Sequence, residues 1–268
     1  MNRQRIRPGL EHIVVPSPTL PPATTTNAWM LEGHTIVDPA ASTQKNKELL
    51  RQILQDDPPK RIFLTHHHND HIASAPYLRD VFNIPIVCSK TTAKQVSFDV
   101  DDICTDGDRL SNIEEEWIVY ETPGHAKGHL CLYSKQYRDL IAGDMVAGEG
   151  TILLIPGDGD FGDYITQLKR LKALYPERLM PAHGPIIHKA QEYLQHYIDH
   201  RCSRLDQIAS HLSTTSKTPY QLATEIYTEV PKSVLPIAAK QILCHLYHLE
   251  KIQKAQQINN GWASTPLS

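Results

Sequence analysis

The sequence predicts an α/β layered domain over residues 1–195, followed by a small helical module over residues 196–268. Three observations carry this. Short β-branched apolar runs alternate with helical stretches through most of the chain. Strand after strand runs out into a loop that bears His or Asp, the arrangement of an α/β fold with its site at the strand ends. From about Ala190 the pattern becomes helix, helix, helix and hairpin, the layout of a winged helix-turn-helix module.

The elements follow in order. Ile13–Val15 reads as a short strand, and the Pro/Thr-rich stretch Pro16–Thr26 as a loop able to lie over a site. Asn27–Leu31 and Thr35–Val37 are strands joined by a turn at Glu32-Gly33. Gln44–Gln55 carries Leu49, Leu50, Ile53 and Leu54 at helical spacing, and Pro58-Pro59 stops that helix. Arg61–Leu64 is a buried strand, and a helix is expected over 70–81, then a strand over Ile84–Val87. Glu115–Glu121, His129–Tyr133 and Leu140–Ala142 are three further strands. Tyr164–Leu174 is a helix with an apolar stripe of Ile165, Leu168, Leu171 and Leu174, and Arg178–Met180 is a short strand. Helices are expected over Ala190–Leu212, from Thr218-Pro219 through Glu225, and over Pro236–Lys254. A hairpin closes the chain, turning at Asn259-Asn260-Gly261.

Composition bounds the function classes. With 268 residues, 40% of them hydrophobic and 21% charged, the chain can bury a substantial core. The net charge of −3 calls for no nucleic-acid partner, although residues 201–268 carry seven Lys and Arg against four Asp and Glu. Cys88, Cys104, Cys131, Cys202 and Cys244 are scattered without C-x-x-C spacing, so reduced thiols are expected rather than a disulfide framework. No apolar run approaches the ~18 residues of a membrane span and the basic N-terminus leads into no apolar region, so no membrane segment and no signal peptide are expected, and the cytoplasm is the default compartment.

One stretch stands apart, Thr65-His66-His67-His68-Asn69-Asp70-His71. In extended chain, residues two apart point the same way, so His66 and His68 can grip one ion while His67 points away. Asp70 and His71 would follow from the first turn of a helix, where an acidic side chain is favoured. No packing argument places four such groups in six residues. Later strand ends add His125, Asp144 and His183. Five imidazoles and two carboxylates suit zinc or a similar first-row metal, and are about right for two ions. His66, His68 and His125 would hold one, Asp70, His71 and His183 the other, with Asp144 as the bridge. His129 reads as a support for this set and Asp38 as an acceptor for backbone donors. No G-x-S-x-G nucleophile motif and no Gly-rich phosphate loop is present.

At these residues the sequence resembles the metallo-β-lactamase superfamily. His66-x-His68-x-Asp70-His71 matches its H-x-H-x-D-H signature. Thr122-Pro123-Gly124-His125, Gly143-Asp144 and Pro181-Ala182-His183-Gly184-Pro185 resemble its later motifs in order and spacing. The resemblance implies a four-layer αββα sandwich. It is closer to the β-lactamase-like protein 2 group, some of whose members are endoribonucleases on single-stranded RNA. That likeness rests on Gly148-Glu149-Gly150-Thr151, Asp163-Tyr164, His183-Gly184-Pro185-Ile186-Ile187 and Tyr197-Ile198-Asp199-His200-Arg201, with the winged-helix-like module after them. Two departures touch the pocket floor: Ile72-Ala73-Ser74-Ala75 stands where many relatives carry Gly-Gly, and Ala126 stands where Thr is common.

The resemblance implies a hydrolase with two Zn²⁺ per chain, iron or manganese being the alternatives, and a metal-bridging hydroxide as nucleophile. Asp70 and Asp144 would then be catalytic as well as ligating, and Tyr164, His200 and Arg201 would contact substrate. The expected substrate is single-stranded RNA. Three alternatives stand beside it: a glyoxalase II-like or acyl-thioester hydrolase, a non-catalytic metal-bound scaffold, and mononuclear iron chemistry as in persulfide dioxygenases of this fold. DNA recognition is not expected, because the last helix offers only Lys240, Lys251 and Lys254 as cations.

Overall fold

The computed structural model describes residues 1–31, 34–110 and 115–265. Its first sheet orders β1 (Arg3–Arg7), β2 (Leu10–Pro16), β3 (Thr25–Leu31), β4 (Thr35–Val37), β5 (Arg61–Phe63), β6 (Ile86–Cys88) and β7 (Asp102–Ile103) as neighbours in sequence. Pairing is antiparallel from β1 to β4 and parallel from β4 to β7. Parallel neighbours need a crossover. Here α1 (Gln44–Leu54), then α2 (Asn69–Ile72) with α3 (Ala75–Phe82), then α4 (Lys90–Ala93) supply them. The second sheet holds β8 (Arg109–Leu110), β9 (Trp117–Glu121), β10 (Leu130–Ser134), β11 (Asp139–Gly143) and β12 (Arg178–Pro181). Its one parallel step, β11 to β12, is bridged by α5 (Phe161–Ala173). The chain ends in α6 (Ala190–Ser210), α7 (Pro219–Ile226), α8 (Leu235–Lys251) and the hairpin β13 (Ala255–Ile258) with β14 (Gly261–Ser264).

Strand periodicity of two sorts these residues into layers. In β3, Trp29 and Leu31 face the second sheet, while Ala28 and Met30 face α1 and α3. In β10, Leu130 and Leu132 join the inter-sheet core, while Cys131 and Tyr133 pack toward α5 and α6. The order is helix, sheet, sheet, helix, the αββα arrangement expected above. All five cysteines are unpaired, four of them buried. Among the described residues no helix is long and apolar enough to cross a membrane.

The structure departs from the sequence-based expectations in two places, one helix and the domain boundary. The helix expected over 70–81 is two helices, broken at Ala73-Ser74. Pro76 is the reason: it lacks an N–H, and its ring would strike the carbonyl of Ile72 in a continuous helix. Ser74 closes the gap by donating from its hydroxyl to Pro39 O at 2.6 Å. The basic N-terminus, for which the sequence offers no element, forms an edge strand paired along β2. The domain boundary drawn between 195 and 196 falls inside α6, whose Leu194 and Ile198 belong to the sandwich core and whose Ile208 belongs to the module. The turn expected at Glu32-Gly33 lies outside the described residues.

Arg7 explains why β1 belongs to the fold. Its guanidinium is buried and reaches across to the second sheet, donating to both Glu115 oxygens at 2.6 and 2.8 Å and to Asp139 at 2.7 Å. Tyr137 covers it, with the ring centroid 3.6 Å away. Both carboxylates are buried too, so removing the cation leaves them without compensation. Arg178 still pairs with Asp139, which tempers the loss. Arg7→Met is expected to lower unfolding free energy by about 3 kcal/mol, read as a shifted denaturant midpoint with an unchanged slope.

Candidate metal centre

The fold delivers seven candidate side chains to one place. His66 and His68 leave the end of β5, with Asp70 and His71 on α2. His125 follows β9, Asp144 follows β11 and His183 follows β12. Two glycines permit the close approach. A Cβ on Gly124, whose φ is +139°, would lie 2.3 Å from Tyr164 Cα. One on Gly143, at φ +48°, would strike the His129 ring at 2.5 Å.

Three imidazole nitrogens form one group. His66 Nε2 lies 2.9 Å from His68 Nδ1, His125 Nε2 lies 3.0 Å from His68 Nδ1, and the two Nε2 atoms are 3.3 Å apart. The second group surrounds Asp144. His183 Nε2 is 3.5 Å from Asp70 Oδ2 and 3.4 Å from Asp144 Oδ1. Asp144 Oδ2 is 3.7 Å from His71 Nε2 and 3.4 Å from His125 Nε2. Asp144 therefore stands between the groups, in contact distance of both.

The outer nitrogens decide what the inner ones can do. His125 Nδ1 must donate to Leu153 O, at 2.8 Å, because a carbonyl only accepts. His183 Nδ1 donates to Thr25 O at 3.0 Å by the same logic. His71 Nδ1 donates to Asp38 Oδ2 at 2.8 Å, and His68 Nε2 to Asp158 Oδ2 at 3.1 Å. The Thr65 hydroxyl gives its proton to Asp38 at 2.6 Å, so it accepts from His66 Nδ1 at 3.0 Å. Each neutral imidazole then turns a lone pair inward. Five lone pairs and two carboxylates face one another, and His71 Nε2 and Asp144 Oδ1 are buried without a hydrogen-bond partner. Such a set repels itself unless cations sit within it. Nitrogens bound tetrahedrally to one zinc ion lie roughly 3.3 Å apart, as bond lengths of ~2.0–2.1 Å require. The first group has nearly that span.

The electrostatics agree. Burial pushes His66 well below the ordinary imidazole range and His125 down to about 4. Against its own burial, the charges of Asp144 and Asp38 drive His71 well above that range. Despite burial, the His183 hydrogen bond and nearby imidazole charge hold Asp70 down to about 2. The centre resists protons at His66 and His125 and draws positive charge at His71, beside Asp144.

Several supports escaped the sequence reading. Asp158 gave no signal in Gly157-Asp158-Gly159, yet it orients His68 and accepts from Lys127 N at 3.1 Å. Asn27 gave none either, and its amide donates to Pro181 O and Gly184 O, holding the His183 loop on β3. Asp38 accepts from Thr65 N as expected, at 2.8 Å, and from His71 as well. It does so with φ +49°, a strained setting for a non-glycine residue. His129 accepts from Asp144 N at 3.0 Å. The 16–26 loop reaches the centre through Thr19, whose hydroxyl is 3.5 Å from His183 Nε2.

The three residues expected to contact substrate do not line the centre. Tyr164 is fully buried and its hydroxyl donates to Met145 O at 2.7 Å. Arg201 is buried, donating to Ile152 O with its charge over the rings of Tyr164 and Tyr197. His200 is exposed on the outer side of α6 beside His196. Spacing along a helix could not separate these inward and outward positions from a substrate face.

Comparison with known proteins agrees with this picture. Residues 21–183 match the profile described as Metallo-beta-lactamase superfamily, and residues 218–262 that of the Beta-lactamase associated winged helix domain. A Caenorhabditis elegans "Beta-lactamase-like protein 2 homolog" is 32% identical over 178 residues, 65% of this chain and 59% of the relative. The match thus spans under two thirds of that relative's length. A Klebsiella pneumoniae "Hydroxyacylglutathione hydrolase" is 36% identical over 102 residues, 38% of this chain and 39% of the relative. In structure, a metallo-beta-lactamase family protein from Thermus thermophilus covers 97% of this chain and all of its own, with TM-score 0.82 at 20% identity.

Asp38→Asn keeps the shape but only one acceptor oxygen, so it cannot accept from both Thr65 N and His71 Nδ1. It is expected to weaken binding of an added divalent metal about 10–100-fold, measured by competition with a chromophoric chelator.

Proposed function

We propose that this chain, which belongs to the metallo-β-lactamase superfamily, is a metal-dependent hydrolase acting on single-stranded RNA. One observation carries the hydrolase reading: five inward imidazole lone pairs and two carboxylates converge where only cations can reconcile them. His66, His68 and His125 would hold one ion, and Asp70, His71 and His183 the other, with Asp144 shared. Two divalent ions held there would lower the pKa of a water toward neutrality and polarise the bond to be broken.

The chain's own residues do the rest. Asp38, Thr65, Leu153 O, Thr25 O and Asp158 fix the five rings in the tautomer that presents a lone pair inward. His129 holds the Asp144 backbone. Asp70 and His68 are the partly exposed members, so substrate would approach from their side. Beside them a groove of about 380 Å³ runs from Gly124 and Asp158 to α8. Lys127 and the half-exposed Tyr247 line it, a cation for a phosphate and a ring for a base, among the carboxylates of Asp158, Asp160, Asp163 and Glu250, which bound metal ions would have to offset. The sequence motifs shared with the β-lactamase-like protein 2 group, some of whose members cleave single-stranded RNA, motivate this substrate class. An intact ligand set speaks against a scaffold that has lost catalysis.

A thioester is the second reading, favoured by the identity with the hydroxyacylglutathione hydrolase over 102 residues. One experiment separates them. Zinc- or manganese-loaded protein is given an end-labelled single-stranded RNA and, in parallel, a panel of glutathione and CoA thioesters. RNA cleavage is expected, abolished by chelation and lowered at least about 100-fold by Asp144→Ala. Metal-dependent thioester turnover without RNA cleavage moves the assignment to the thioester. Cleavage that survives Asp144→Ala defeats the RNA reading.

A further inference from the structure

Residues 151–155 carry no helix or strand, yet Ile152 and Leu154 are buried. Buried irregular backbone must find partners for its polar groups. Here they come from two directions. On one side, Leu153 O takes the Nδ1 proton of His125. On the other, the C-terminal helices supply the rest. Arg201 on α6 donates to Ile152 O, Gln241 Oε1 on α8 accepts from Leu154 N at 2.7 Å, and Cys244 Sγ lies 3.3 Å from Leu154 O.

Leu153 C=O and Leu154 N–H are the two ends of one planar peptide group. Fixing the N–H therefore aims the carbonyl, and the carbonyl aims the His125 ring. Resting on the metal-centre reading given above, we propose that Gln241 is a positioning residue of that centre, acting on His125 through the Leu153–Leu154 peptide. The C-terminal module is then a working part of the site.

The geometry leaves little freedom in this chain of contacts. Leu154 N is a donor, so the Gln241 amide must present its oxygen. Its nitrogen, buried and without a partner, gains nothing from the position. An apolar residue would fill this place without orphaning an amide, so the acceptor is what the site uses. The peptide between them is polarised at both ends, which strengthens each bond. His125 Nε2 then points at His66, His68 and Asp144.

The test uses the full chain and cobalt(II), whose visible spectrum reports each ligand set, with affinities taken by chelator competition. Gln241→Leu keeps the bulk and removes the acceptor. It is expected to weaken one of two cobalt ions about 10–100-fold and to change its spectrum, leaving the other as in the unsubstituted chain. Gln241→Glu restores the oxygen and should recover binding to within a few-fold. Gln241→Asn, which withdraws the oxygen by one methylene, gives the same comparison where Gln241→Leu does not fold. Unchanged binding in both Leu and Asn variants overturns the proposal while the metal reading stands. Equal weakening of both ions that tracks the melting temperature, with no rescue by Glu, also overturns it. An unsubstituted chain that binds no cobalt or zinc defeats the metal reading itself.

Discussion

Lone pairs that face one another hold nothing together by themselves, and that constraint explains most of what surrounds them here. Each inward nitrogen is the consequence of an outward hydrogen bond, and the outward partners come from separate parts of the fold. Asp38 closes β4, Thr65 follows β5, Thr25 opens β3, Leu153 lies in the loop after β11, and Asp158 lies before α5. A tautomer is a choice of where one proton sits, and these five contacts make that choice five times. The sandwich is what places five such acceptors at one edge. Without the packed sheets the imidazoles would be free to turn and share protons with water.

The two sheets meet at this edge for a reason visible in their pairing. The first sheet changes from antiparallel to parallel at β4, and the ligand cluster follows the next strand, β5. The second sheet contributes its own parallel step at β11 and β12, whose ends carry Asp144 and His183. Parallel neighbours end on the same side, so their loops gather. Arg7 then ties the two sheets together at Glu115 and Asp139, the latter opening β11.

What the sequence discloses follows from how far each signal depends on distance along the chain. His66, His68, Asp70 and His71 are legible because four such residues lie within six positions. His125, Asp144 and His183 are legible because each ends an apolar run. Asp158 and Asn27 are silent, since a single acidic or amide residue in a loop has many uses, and only the folded chain says which one applies. Arg3–Arg7 is silent for a related reason. Its charges announce no strand, and Arg7 finds its buried carboxylates more than 100 residues away. Tyr164 and Arg201 mislead in the opposite sense: both are distinctive in sequence, and both are spent on buried backbone carbonyls.

The C-terminal module turns its polar groups inward as well. In a winged helix that reads DNA, the third helix presents its polar face to the major groove. In α8 the apolar face, with Ile242, Leu246 and Leu249, builds the module's own core. A second face, with Gln241, Cys244 and His245, is also buried, and the His245 ring lies tilted against Phe161 with centroids 4.6 Å apart. Polar groups on that face meet the loop behind His125 rather than solvent. The remaining exposed strip, with Tyr247 and Lys251, borders the groove beside the metal centre. On the proposed reading, the buried polar groups of α8 serve the loop behind His125, while Lys240 remains exposed to solvent.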